Sequence, residues 1–147
     1  MRYPALLIVA VALASCSAPP DTRGDSRAVI ATQSLAPETQ TIVKFLLTAA
    51  ANDFHAHRPP EPAHFRDVRL GHVLTPGGTQ RYMLCGQFLP AQGAGTAAWM
   101  PFATIKTSGY EQWIGVQAEG FCQNATVIWE NVGDLSSSLE SQLASLR

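Results

Sequence analysis

The chain is poor in charge, poor in cysteine and short of long apolar runs. Charged residues make up only 14% of its 147 positions, with 10 Lys and Arg against 11 Asp and Glu. They form no clusters, so there is no electrostatic footprint for a nucleic acid. There are three cysteines, Cys16, Cys85 and Cys122, and none sits in a C-x-x-C spacing, which argues against a redox or zinc motif. No stretch offers the ~20 apolar residues that a membrane-spanning helix needs. The G-x-S-x-G and H-E-x-x-H motifs are missing, as is any internal repeat, and Ser136-Ser137-Ser138 has no histidine near it in sequence. The sequence therefore leans away from an enzyme and implies no cofactor.

What is present begins with an address. Arg2 precedes the apolar run Ala5 to Leu13, which is followed by small residues, the pattern of an export signal over residues 1–15. Leu13-Ala14-Ser15-Cys16 resembles the bacterial lipobox. That resemblance implies cleavage before Cys16 and acylation of its thiol, hence a membrane partner through the N-terminal lipid. Several acyl chains anchor stably, at about 0.8 kcal/mol per buried methylene. The alternative is an ordinary signal cut after Ser15 that leaves a free thiol. Residues 16–35 are rich in Pro, Ser, Thr, Asp and Arg with little to bury, which is the composition of a tether. Ser17, where an aspartate often marks inner-membrane retention, resembles the outer-membrane sorting signal of enteric bacteria and points to the periplasmic face of the outer membrane.

Export also bears on the other cysteines. In an oxidising compartment Cys85 and Cys122 form an even pair, so a disulfide is the default, with a redox or metal-binding pair as the alternative. The remaining 36–147 reads as one small α+β domain. A helix from about Pro37 to Asp53 has Pro37 in its first turn and an apolar stripe of Ile42, Val43, Leu46, Leu47, Ala50 and Phe54. A small antiparallel sheet of about four strands follows. Val68 to Leu74 and Tyr82 to Leu89 form a hairpin across Thr75-Pro76-Gly77-Gly78-Thr79. Apolar residues on both faces of the second strand make it central, and Gly86 suggests a bulge or a close backbone approach. Ala97 to Ile105 contains Pro101 and is expected at an edge or a bulge. Tyr110 to Val116 and a last stretch from Ala125 to Glu130 complete the strands. Leu135, Leu139, Leu143 and Leu146, behind Asp134 as a cap, predict a C-terminal helix.

Three motifs invite chemistry. Asp53, His55 and His57 could approach a metal only in an extended chain, and no third ligand follows at a diagnostic spacing, so no metal site is assigned. Gly93 to Ala98 matches G-x-G-x-x-A, but Trp99-Met100-Pro101-Phe102 follows where a phosphate-binding helix would have to start. Glu111 and Glu119 could be paired carboxylates, but spacing alone does not show it, and two solvated glutamates are the simpler reading.

Pro62-Ala63-His64-Phe65-Arg66-Asp67-Val68, Cys85-Gly86-Gln87-Phe88, Gly95 and Trp99-Met100-Pro101-Phe102 together resemble a group of small uncharacterised bacterial exported proteins. Leu89 and Gln92 stand where that group carries asparagines. The resemblance implies a small α+β fold with a stapling disulfide and supplies no activity. Ile105-Lys106-Thr107-Ser108-Gly109-Tyr110 faintly resembles the Ser-Gly loop of lipoprotein lysozyme inhibitors, which would make the chain an inhibitor of a cell-wall lytic enzyme. A small envelope hydrolase is a further alternative. The leading expectation is a lipid-anchored, non-catalytic binding module whose partner is an envelope protein or peptidoglycan. Tyr82, Trp99, Phe102, Tyr110 and Trp113 are the aromatics to watch, with Trp99, Tyr110 and Trp113 as the candidate binding surface.

Overall fold

A computed structural model describes residues 35–57, 61–91 and 98–147; the export signal, Cys16 and most of the Gly93 to Ala98 bend lie outside the described residues. Helix α1 spans Pro37–His57. It runs a turn beyond the expected end at Asp53, because His55 and His57 favour the negative end of a helix and His57 Nδ1 lies 3.2 Å from Asp53 Oδ1. Its stripe of Leu46, Leu47, Ala50, Ala51 and Phe54 is buried.

Strands β1 (Pro62–Leu74) and β2 (Gln80–Pro90) form the expected hairpin, with β3 (Met100–Lys106) and β4 (Tyr110–Ile114) continuing the sheet. Helix α2 (Val116–Cys122) then crosses one face, and the short β5 (Ile128–Trp129) pairs with β1. Helix α3 (Ser136–Ala144) closes the chain. The sheet is antiparallel in the order β4-β3-β2-β1-β5, which puts β2 at its centre. Strand β1 starts six residues before the expected Val68, and α2 replaces the end of an expected strand.

Pro101 does not mark an edge, since β3 lies between β2 and β4. It sits near the start of β3, where its carbonyl accepts the Gly115 N–H at 2.8 Å. The partner bond that a proline cannot donate is not missed, because the Gly115 carbonyl accepts instead from Glu119 N–H at 3.0 Å, opening α2. Gly115 itself has φ 73°, the left-handed turn that ends β4.

The sheet is covered on both faces. Under α1 and α3 lie Phe65, Val68, Leu70, Leu84, Phe88 and Phe102. Gly86 is needed here for close approach: a Cβ on it would meet Val68 Cγ2 at 2.8 Å and Phe102 Cε1 at 2.9 Å. On the opposite face Met83, Cys85, Ala103 and Ile105 meet Ala118 and Phe121 of α2. The Cys85–Cys122 disulfide ties the last residue of α2 to the middle of the sheet.

Beyond β5 the outer edge of β1 is taken up by the approach to α3. Leu135 N–H donates to Val68 O at 2.8 Å and Val68 N–H to Ser136 Oγ at 3.2 Å. Asp134 caps from one position further out than the N-cap residue Leu135, accepting the N–H of Ser136 at 2.8 Å and its hydroxyl as well. These bonds hold the Asp134 carboxyl below its ordinary value. A carboxylate lowered on folding adds stability above the unfolded value of ~3.9, and that contribution is lost as pH falls through the lower, folded value. Asp134→Ala should therefore cost about 1 kcal/mol at neutral pH. Urea unfolding at a series of pH values should show the gap from the parent narrowing as pH falls below the unfolded carboxylate value; a gap that stays constant through acidification would refute the capping role.

Candidate functional site

Between Arg66 and Arg69 the register of β1 against β2 slips: Arg66 pairs with Gln87 and Arg69 with Cys85, so Asp67 and Val68 together oppose Gly86. This is a β-bulge, and Asp67 sits in it at φ 54°, the only non-glycine residue with positive φ among those described. In a regular strand Arg66 and Arg69, three apart, would point to opposite faces. The extra residue puts both on the face that α2 leaves partly open.

There each guanidinium lies on an indole. Arg66 Cζ is 4.3 Å from the Trp99 ring centroid, and Arg69 Cζ is 4.5 Å from that of Trp129. Arg66 also donates from Nε to Gln87 Oε1 at 2.8 Å and stands 3.7 Å from Asp67 Oδ2. Beside α2 the face sinks into a depression of roughly 210 Å³, floored by the disulfide, Gly86 and Pro101 and rimmed by Asp67, Arg69, Gln87, Glu119, Gln123 and Trp129. Gln123 Nε2 donates to Glu119 Oε1 at 2.6 Å, orienting both side chains. The lining holds hydrogen-bonding forks and fixed charge but no histidine, no serine and no free thiol. Such a set can bind and orient a polar ligand, and its carboxylates are those of Asp67 and Glu119, the second held by Gln123.

The candidate aromatics do not converge. Trp99 lies on this face under Arg66. Trp113 is on the same side but half-buried under α2, its ring 5.7 Å from that of Phe121. Tyr110 points the other way, toward α1, with its hydroxyl 3.4 Å from Asp53 Oδ1. Burial, then the Asp53 charge, pushes the Tyr110 hydroxyl up in pKa. Phe102 is fully buried and Tyr82 packs against the core. Beside Tyr110 runs a second groove of roughly 390 Å³ along α1, lined by Phe45 and Ala49 among others. Two of its polar groups are engaged, Thr41 Oγ1 on Pro37 O and the Tyr110 hydroxyl on Asp53, while Lys44, Thr48 and Asn52 also line it.

Other candidate residues have structural employment. Asp53 and His57 pair along α1, and no group of three or more His, Cys, Asp or Glu side chains is placed to hold a metal among the described residues. The Ser136 hydroxyl is committed to Asp134 and to Val68 N–H. The Thr107 to Gly109 stretch is the tight β3–β4 turn, with Thr107 N–H donating to Gly109 O at 3.0 Å. The lipidation candidate Cys16 lies outside the described residues.

A chain of polar groups around the buried His72, at the far end of the sheet, was not foreseen from sequence. His72 Nδ1 meets Glu130 Oε1 at 2.7 Å, its Nε2 faces Gln80 Nε2 at 3.3 Å, and the Tyr82 hydroxyl donates to Gln80 Oε1 at 2.6 Å. Burial first, then the charges of Glu130 and Glu38, raises the Tyr82 pKa. Both imidazole nitrogens are engaged, so the chain ties β1, β2 and the residue after β5 together rather than offering a free base. No protein-family model, curated protein or solved structure matches this chain.

Proposed function

We propose that this protein is a lipid-anchored binding module of the bacterial cell envelope. Cys16 carries the anchor at the outer membrane, facing the periplasm, and the open sheet face around Asp67 holds an envelope partner without catalysis. The observation that carries the reading is the bulge that sets Arg66 and Arg69 on one face, each stacked on tryptophan, beside a depression with polar rims. Strained backbone in a non-glycine residue concentrates at functional sites. The formed Cys85–Cys122 bond suits an oxidising compartment.

Expression of the full chain in a Gram-negative host with labelled palmitate tests both halves. The parent should carry label and fractionate with the outer membrane, whereas Cys16→Ser should be unlabelled and released. Chemical cross-linking in intact cells should capture an envelope component that an Arg66→Ala/Arg69→Ala variant, still anchored and folded, no longer captures. An unlabelled parent would refute the anchor, and capture unchanged in the double variant would refute the site.

A further inference from the structure

Resting on that binding reading, we infer that the depression takes a carboxylate-bearing sugar ring, with the carboxylate on Arg69. The two arginines are used differently. Arg66 spends Nε on Gln87 and is paired with Asp67, so it builds the site. Arg69 makes no hydrogen bond or ion pair among the described residues, and its guanidinium is held only by the Trp129 ring at 4.5 Å. A stacked guanidinium with its fork of donors uncommitted is pre-organised for a carboxylate or phosphate oxygen pair.

Charge at the rim separates those two. Asp67 and Glu119 also line the depression, so a dianionic phosphate would meet about twice the like-charge repulsion of a single carboxylate on a neutral body. Size and floor point to a ring. About 210 Å³ falls below the ~300 to 1,000 Å³ of drug-sized pockets, and the floor of proline, glycine and disulfide presents an apolar surface for ring C–H groups. Gln87 accepts from Arg66 and so keeps its amide donors free, while Gln123 donates to Glu119 and keeps its carbonyl free. Those remaining groups match hydroxyl and acetamide substituents. A peptide is the poorer fit because β2 beneath the site is paired on both sides, leaving no strand edge to extend.

The probes are N-acetylmuramic acid and N-acetylglucosamine, which differ by the lactyl carboxylate, titrated into the detergent-solubilised full chain with binding read by ligand-observed NMR. N-acetylmuramic acid should bind at least about tenfold tighter, the effect of one charge-assisted hydrogen-bond pair. Arg69→Gln should erase that preference without a change in melting temperature, and Asp67→Asn should tighten binding of the acid alone. Equal binding of the two sugars, or a preference that survives Arg69→Gln, would overturn the carboxylate assignment while leaving the binding module standing. If neither sugar binds at tens of millimolar while envelope cross-linking still depends on Arg66 and Arg69, the sugar assignment falls alone. If that cross-linking is also independent of the arginines, the site reading falls with it.

Discussion

Replacing Cys85 and Cys122 together by alanine should lower the unfolding free energy by about 4 kcal/mol and the melting temperature by roughly 15 °C. The bond joins residues 37 apart. On the chain-entropy account, a closed loop of that length removes enough freedom from the unfolded chain to be worth about 4 kcal/mol. In a small domain that is a large share of a total of ~5 to 15 kcal/mol. It also holds something that would not hold itself. Helix α2 is seven residues long and has Gly120 in its interior, far below the ~12 to 15 residues at which an isolated helix becomes marginal. Ala118, Phe121 and the Cys122 bond are what fix it to the sheet. Thermal unfolding of the full chain with and without a reductant is the measurement. The parent should drop to the level of the double variant when reduced, and the variant should not respond. A double variant within 1 kcal/mol of the oxidised parent would sink the argument. Because the disulfide floors the depression beside Arg69, the same change should also weaken ligand capture.

Why α2 was not anticipated is visible in the same residues. The apolar pattern of Tyr110 to Val116 continues past Ile114 without interruption in composition, and only the φ of Gly115 turns it away. Propensity cannot show that turn, because a glycine in a strand and a glycine ending one look alike in sequence. The expected strand from Ala125 to Glu130 contracts to Ile128–Trp129 for a similar reason. Asn124 Oδ1 accepts from Thr126 N–H and hydroxyl, and Val127 N–H donates to Asn124 O, so a side-chain-supported turn consumes the first half.

By contrast, the long amphipathic stripe of α1, the turn at Gly77-Gly78 and the two-faced burial of β2 could all be read directly. Each is a local periodicity or turn signal that tertiary packing then reinforces. The start of β1 could not, because Phe65 and Val68 face the same core three residues apart, which no period of two connects. The bulge at Asp67 breaks the alternation, and it is also what makes the candidate site. Arg66 and Arg69 look like residues on opposite faces until that extra residue is counted. Trp99 and Trp129 reach them from parts of the chain that no sequence spacing relates to β1. A polar pair three apart inside an otherwise alternating strand is the signal that would have pointed there.

Phe54→Ala should cost about 4 kcal/mol, comparable to loss of the disulfide. Its ring lies between three others at edge-on angles: Phe65 at 5.3 Å, Phe88 at 5.1 Å and Phe102 at 5.4 Å between centroids. These come from β1, β2 and β3, so one side chain of α1 meets the three strands that carry most of the core. Removing it loses the transfer free energy of a ring that is 4% exposed and opens a cavity. The cavity cannot collapse easily, because Gly86 already lets Val68 and Phe102 approach as closely as backbone allows. Edge-to-face pairs add a further ~0.5 to 1.5 kcal/mol each, which pushes the expected cost to the upper part of the range for large-to-small changes. Phe45 on the same helix supplies the control. It is 38% exposed and meets Lys106 at 5.4 Å from its ring centroid, so Phe45→Ala should cost less than about 1 kcal/mol. Urea unfolding of both variants at neutral pH separates the two positions. Equal losses would mean that helix propensity in α1, rather than the phenylalanine cluster beneath it, holds the helix on the sheet.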